Sequence, residues 1–156
     1  MKVNPFCSFL KTNRYLIFGR LNFPKDRIGE VLTMDDGEKF KIFRQVIIRK
    51  GRKEWGEPGA VFKVKFHVAT MSQKMNKRFS VLPIPFFIGL PGFRSKLWLV
   101  NEKSGYNMGI YEWQTPKDAK NYSKSFAMKF MTKRSVPGSA SFEIIEKGSK
   151  KNEKRQ

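Results

Sequence analysis

The sequence predicts an α+β domain whose elements alternate as β-α-β-β-α-β between residues 60 and 147. Three observations predict it: strict period-two alternation after residue 60, two helix starts with capping residues, and two aromatic strands joined by a Gly-bearing turn.

The elements follow in order. Ahead of the domain, residues 27–34, the turn Asp35-Asp36-Gly37 and residues 38–49 read as a β-hairpin, because Asp-Gly is a strong turn signal and Phe40, Ile42, Val46, Ile47 and Ile48 favour extended structure. Residues 50–59 (KGRKEWGEPG) are polar and rich in Gly and Pro, and they mark the boundary. Phe62, Val64, Phe66 and Val68 then alternate with Lys63, Lys65 and His67, a half-buried first strand. Ser72 can cap a short helix in which Met71, Met75, Phe79 and Leu82 recur at helical spacing, stopped by Pro83. Prolines 83, 85 and 91 deny a regular helix to the apolar loop 82–93. Residues 94–100 and 106–113 are the second and third strands, joined around Lys103-Ser104-Gly105. Thr115-Pro116-Lys117-Asp118 starts the second helix with an N-cap, a Pro at N1 and an acid at N3. Ala119, Tyr122, Phe126 and Phe130 supply its expected stripe until Val136-Pro137-Gly138, and Ala140, Phe142 and Ile144 alternate in the fourth strand. This order is the ferredoxin-like arrangement. It divides the chain into an N-terminal extension (1–58), the α+β domain (59–147) and a solvated basic tail (148–156).

Composition limits the chemistry. The 156 residues are 40% hydrophobic and include 15 Phe, enough for one core. A formal charge of +19 is spread along the chain: residues 1–58 hold 13 basic and 7 acidic groups, and residues 59–147 hold 15 and 5. Such a surface suits nucleic acid, an anionic membrane, an anionic small molecule, or nothing beyond solubility. One Cys (Cys7) and one His (His67) exclude a Cys/His zinc site, an iron–sulfur cluster and an intramolecular disulfide. Apolar residues between Pro5 and Phe23 are interrupted by Lys11, Asn13, Arg14 and Arg20, which is too polar for a transmembrane span and lacks the form of a secretory signal. The expected location is the cytoplasm. The stretch reads either as packing on the domain or as an amphipathic interfacial segment.

The hairpin register decides which side chains share a face. If Glu102 and Gly105 flank its turn, Leu97 faces Ile110 and Leu99 faces Met108, an apolar face expected against the helices. The other face then pairs Arg94 with Trp113, Lys96 with Tyr111 and Trp98 with Gly109, with Lys63, Lys65 and His67 alongside. Three uses compete for that cation and aromatic face: a dimer interface, a ligand pocket, or a nucleic-acid platform of the RNA-recognition type.

Residues 83–113 carry a more specific likeness. Gly89-Leu-Pro-Gly-Phe-Arg-Ser-Lys96 and Gly109-Ile-Tyr-Glu-Trp113, followed by Thr115-Pro-Lys-Asp-Ala119 and Tyr122, resemble the small monooxygenase-like family of dimeric α+β barrels, related to antibiotic-biosynthesis and haem-degrading monooxygenase-like proteins. The resemblance spans residues 61–146. It implies a homodimer that pairs through its sheets, a pocket in each protomer, and oxygen insertion that needs no metal or flavin. Such chemistry needs an aromatic substrate that is deprotonated so that it can reduce dioxygen. Arg94 and Lys96 could stabilise the anion, Trp98, Tyr111 and Trp113 could hold a ring, and His67 or Glu112 could act as base. Against this reading stand an RNA-binding module and a structural dimer without activity.

Overall fold

The computed structural model describes residues 4–17, 19–49 and 55–148; residues 50–54 of the expected boundary and 149–156 of the expected tail lie outside them. The chain begins with α1 (Pro5–Ile17), β1 (Leu21–Asn22), β2 (Val31–Thr33), β3 (Lys39–Ile48), β4 (Ala60–Phe66) and α2 (Gln73–Phe79). It continues with α3 (Ile84–Phe87), β5 (Phe93–Val100), β6 (Asn107–Trp113), α4 (Pro116–Ser123), α5 (Phe126–Lys133) and β7 (Ser141–Glu146).

Strands β5-β6-β4-β7 lie side by side, all antiparallel, which is the ferredoxin-like order expected from β-α-β-β-α-β. The N-terminal extension enlarges this sheet. Its hairpin forms with Gly37 at a φ of 83°, Val31 opposite Lys41 and Thr33 opposite Lys39, and the long arm β3 pairs with the edge of β5. An otherwise bare strand edge is thereby covered.

The β5–β6 register is the expected one, with Leu97 opposite Ile110, Leu99 opposite Met108, Lys96 opposite Tyr111 and Trp98 opposite Gly109. A bulge between Phe93 and Ser95 changes its end, so Phe93, and not Arg94, faces Trp113.

The assignment of faces is the reverse of the sequence expectation. Lys96, Trp98, Tyr111 and Trp113 lie under the helices, and Leu97 and Ile110 lie on the other side. The reason is in β4: Phe62 pairs with Tyr111 and Val64 with Gly109, so burying Phe62 and Val64 against the helices brings Tyr111 with them. Lys63 and Lys65 pair with Ile110 and Met108 and share the opposite face. Large rings also bury more apolar area than Leu or Ile, so they belong where coverage is complete. The opposite face is covered only at one end, where Leu32 and Met34 pack on a small second core of Phe40, Ile42, Leu99 and Met108.

The helices differ in detail from expectation. Ser72 caps α2 by accepting from Met75 N, but Met75 and Phe79 are exposed and the buried residue is Asn76. Thr115 caps α4 as expected, accepting from Asp118 N. The second helix is two: Ser125 starts α5 by accepting from Met128 N, which leaves Phe126 exposed and buries Ala127 and Met128. Within loop 82–93, one helical turn forms as α3, which α1 holds down. Ser8 Oγ donates to the Phe86 carbonyl at 2.7 Å, and a Cβ on Gly89 would sit 2.1 Å from the Ser8 carbonyl oxygen. No described helix is long and apolar enough to cross a membrane.

Candidate ligand cavity between sheet and helices

Between β5 and β6 on one side and α2, α3 and α5 on the other lies a cavity with an empty volume of about 680 Å³, its open mouth included. Its interior has room for several waters, each of which needs roughly 10–15 Å³. Phe43, Phe66, Phe87, Trp98, Phe130 and Met131 give it apolar walls. Such a site, concave and apolar with few polar groups, is the ordinary form of a small-molecule pocket.

Its central polar group is Lys96. β-Sheet alternation directs this side chain under the helices, where it is 8% exposed. The Nζ stands 4.2 Å from the centre of the Trp98 ring, 4.4 Å from that of Tyr111 and 4.5 Å from that of Phe87. No carboxylate or hydrogen-bond acceptor partners it among the described residues. Burial, aided by the charge of Arg44, holds the Lys96 amine well below the usual lysine range. The three ring faces favour the ammonium form and offset part of that penalty.

Arg44 is anchored on the cavity's rim. Its guanidinium donates to Ser80 Oγ and, at 2.9 Å, to the Lys77 carbonyl, and it lies 5.7 Å from the Trp98 ring centre. The second polar feature is a pair of phenols. Tyr122 OH donates to Tyr111 OH at 2.7 Å, which leaves the Tyr111 proton free for another acceptor. Burial comes first among the causes that raise both phenols, well above the usual range for Tyr111, so both are hydroxyls at neutral pH. Asn76 and Asn107, joined by a 3.0 Å hydrogen bond, also line the cavity, as do Ser80, Ser135 and Arg134. Gly109 makes room for the Tyr111 ring, since a Cβ there would stand 2.8 Å from Tyr111 Cε2.

Of the residues singled out in the sequence, Lys96, Trp98 and Tyr111 line this cavity together. Trp113 is fully buried behind them, stacked on Tyr111 with its indole N–H unpaired. Arg94 lies outside the lining, donating to the Gly56 carbonyl and stacking 4.8 Å over Trp55. His67 stands beyond the end of β4 against Tyr106, with Nδ1 3.2 Å from the Val68 carbonyl. Glu112 accepts from Ser95 Oγ at 2.8 Å, as its position opposite Ser95 implies, but both are on the open face of the sheet. Sequence reasoning missed Tyr122, Asn76 and Arg44. The spacing of Tyr122 marks it as core, and Asn76 sits in a helix whose apolar residues, not its polar ones, carry the helical period.

The fold and cavity define a ferredoxin-like α+β protein with a covered pocket against its sheet. No protein-family model and no curated protein matches the chain. Solved structures do. A Listeria monocytogenes ferredoxin-fold protein related to antibiotic biosynthesis monooxygenases superimposes with a TM-score of 0.54 and 15% identity, covering 74% of this chain and 68% of that one. A monooxygenase-like protein from Listeria innocua gives 0.55 and 11% over 74% and 68%. A heme-degrading enzyme from Listeria monocytogenes gives 0.50 and 16% over 72% and 73%. The chain thus shares the fold of these monooxygenase-like proteins, the kind of protein that residues 83–113 resemble. Fold alone does not carry activity across such distances.

Proposed function

We propose that this protein binds a small aromatic compound bearing an ionisable or anionic oxygen, with its ring against Trp98 and Phe87 and its oxygen between Lys96 Nζ and Tyr111 OH. The observation that carries this reading is the unpartnered Lys96 amine, held among three rings at the wall of a cavity. A buried amine with no carboxylate beside it lacks the partner that buried charges ordinarily have, and a ligand acid supplies one.

The reaction this arrangement supports is cofactor-independent monooxygenation. In its unprotonated form, which burial favours, the Lys96 amine takes a proton from an acidic O–H or C–H of the ligand, and the ammonium so formed stabilises the anion. The electron-rich anion reduces dioxygen. At an acidic ring CH2, one oxygen atom becomes a carbonyl in the product, and the other leaves as water with the two hydrogens. His67 and Glu112 stand outside the cavity, so the base in this scheme is Lys96. Haem is not adopted as the ligand: the lining contains no histidine and the cavity is small for a tetrapyrrole.

We place a homodimer contact on the open sheet face. Val61, Leu97, Ile110 and Ile145 are half-buried there with no helix over them, and its lysines are neutralised, Lys65 by Glu38 at 2.6 Å and Lys63 by Glu143 at 3.5 Å. A nucleic-acid platform finds less support, because the rings on which bases would stack lie beneath the helices.

The test is oxygen uptake with acidic phenols and benzylic ketones, alongside ligand binding followed by tryptophan fluorescence. Uptake, or binding alone, that is lost in Lys96→Met agrees with this reading. A fully folded protein that binds none of these compounds contradicts it.

A further inference from the structure

The net charge and the exposed apolar residues find no use in the cavity, and they coincide in space. The helical layer is built from residues 4–17, 70–92 and 116–136, a little over a third of the chain. These segments hold eleven Lys and Arg against a single acid, Asp118, although the chain has 13 acidic residues. Of the 13 exposed large hydrophobic residues among those described, the same segments carry nine. Basic and apolar groups therefore share one layer, and the acids lie almost wholly elsewhere.

The apolar part is continuous across three elements. Phe9 of α1 lies 6.4 Å from Phe86 of α3, Phe86 lies 5.7 Å from Phe126 of α5, and Phe126 lies 6.2 Å from Phe130. On α1 the row extends one turn back to Phe6 (65% exposed), which shares its face with Leu10 (50% exposed) at i+4. Lys11 and Arg14 of α1 and Lys129 and Lys133 of α5 are exposed in the same elements. A soluble surface has no need of a row in which Phe6, Phe9 and Phe126 are exposed and Phe86 and Phe130 are half-buried.

We propose that this helical layer docks on an anionic lipid bilayer, with Phe6, Phe9, Leu10 and Phe126 entering the headgroup boundary and the surrounding Lys and Arg meeting lipid phosphates. An amphipathic surface with Phe and Leu inserted among Lys and Arg is the form that interfacial anchors take. Charge complementarity decides the occupant. A second copy of this chain would bring another strongly basic layer against the first, and nucleic acid, which would use rings and cations, leaves the exposed aliphatic Leu10, Val81 and Leu82 without a role. Docking here leaves the opposite sheet face, with its balanced ion pairs, free for the dimer. It also explains how α1 can expose Phe6 and Leu10 while Ser8, on its other side, packs on α3.

The experiment is co-sedimentation of the full chain with phosphatidylglycerol and phosphatidylcholine vesicles, at low and high salt, for wild type, Phe6→Ser/Phe9→Ser and Lys11→Glu/Arg14→Glu. All four positions are exposed, so the variants keep the fold, which circular dichroism checks. The expected result is binding to phosphatidylglycerol only, weakened by salt and reduced in each variant, with roughly fivefold loss for each basic residue removed. Binding to anionic vesicles that the Phe6→Ser/Phe9→Ser variant retains in full would overturn the proposal. So would no vesicle binding at all, preferential binding of single-stranded RNA with vesicles ignored, or a molar mass in solution that halves in the Phe variant.

Discussion

The Nζ of Lys96 lies 4.2 Å from the centre of the Trp98 indole, two residues along the same strand, with a cavity beside both. β-Alternation places i and i+2 on one face, and here that face is the covered one. The consequence is a cation carrier inserted in an aromatic core.

Replacing this amine tests its energetic state. Because burial depresses the Lys96 pKa, the unfolded chain binds a proton that the folded chain releases. Between the folded pKa and the unfolded value near 10.4, stability rises with pH by about 1.4 kcal/mol per pH unit. Lys96→Met removes that slope and raises stability at neutral pH, as measured by urea denaturation across pH. An unchanged slope would show that the ammonium form is tolerated in the core.

The paired phenols act at the other end of the scale. Both Tyr111 and Tyr122 are raised, so the folded state keeps protons that the unfolded chain loses above about pH 10. Stability falls as pH rises past that value, by about 1.4 kcal/mol per unit for each phenol. Tyr122→Phe halves this alkaline slope and costs about 1 kcal/mol at neutral pH for the lost hydrogen bond. Denaturation midpoints at neutral and alkaline pH measure both effects.

Gly89 is where the N-terminal helix meets the core. A Cβ there meets Ser8 backbone atoms at 2.1 to 2.8 Å, and backbone cannot yield as a side-chain tip can. Gly89→Ala is expected to cost about 1–3 kcal/mol and to release α1, seen as faster amide exchange in residues 5–17 while the sheet stays protected. Equal protection of α1 in the variant would contradict that contact.

The dimer is tested at the centre of the open sheet face. Ile110→Asp puts an acid beside Leu97 without touching the helix side. Light scattering is expected to show a dimer for wild type and a monomer for the variant, with unchanged circular dichroism. A wild-type monomer at micromolar concentration would remove the sheet-to-sheet contact.

Much of this architecture is legible in the sequence, and the errors are instructive. Thr115 and Ser72 cap helices where their chemistry says they should, and the Gly105 turn sets a register that pairs Lys96 with Tyr111. Sequence patterning turns the wrong face of the sheet to the helices because it equates charge with solvent. Lys96 is a long apolar stem whose tip finds rings instead of water, which period-two patterning cannot distinguish from an exposed lysine. The partner of β5's edge was equally hidden, since a strand of the extension reveals its pattern but not its neighbour. Tyr122 became part of the site only through its 2.7 Å contact with Tyr111, a contact made by tertiary packing alone.

The account turns on Lys96 as a buried amine open to a ligand acid, and 4-nitrophenol, whose absorbance reports its ionisation, tests this most directly. Titrated into the protein at a pH below its own pKa, it is expected to gain phenolate absorbance saturably in wild type and not in Lys96→Met. Identical spectra in the two proteins, both folded, would contradict the claim that this amine receives a ligand's proton.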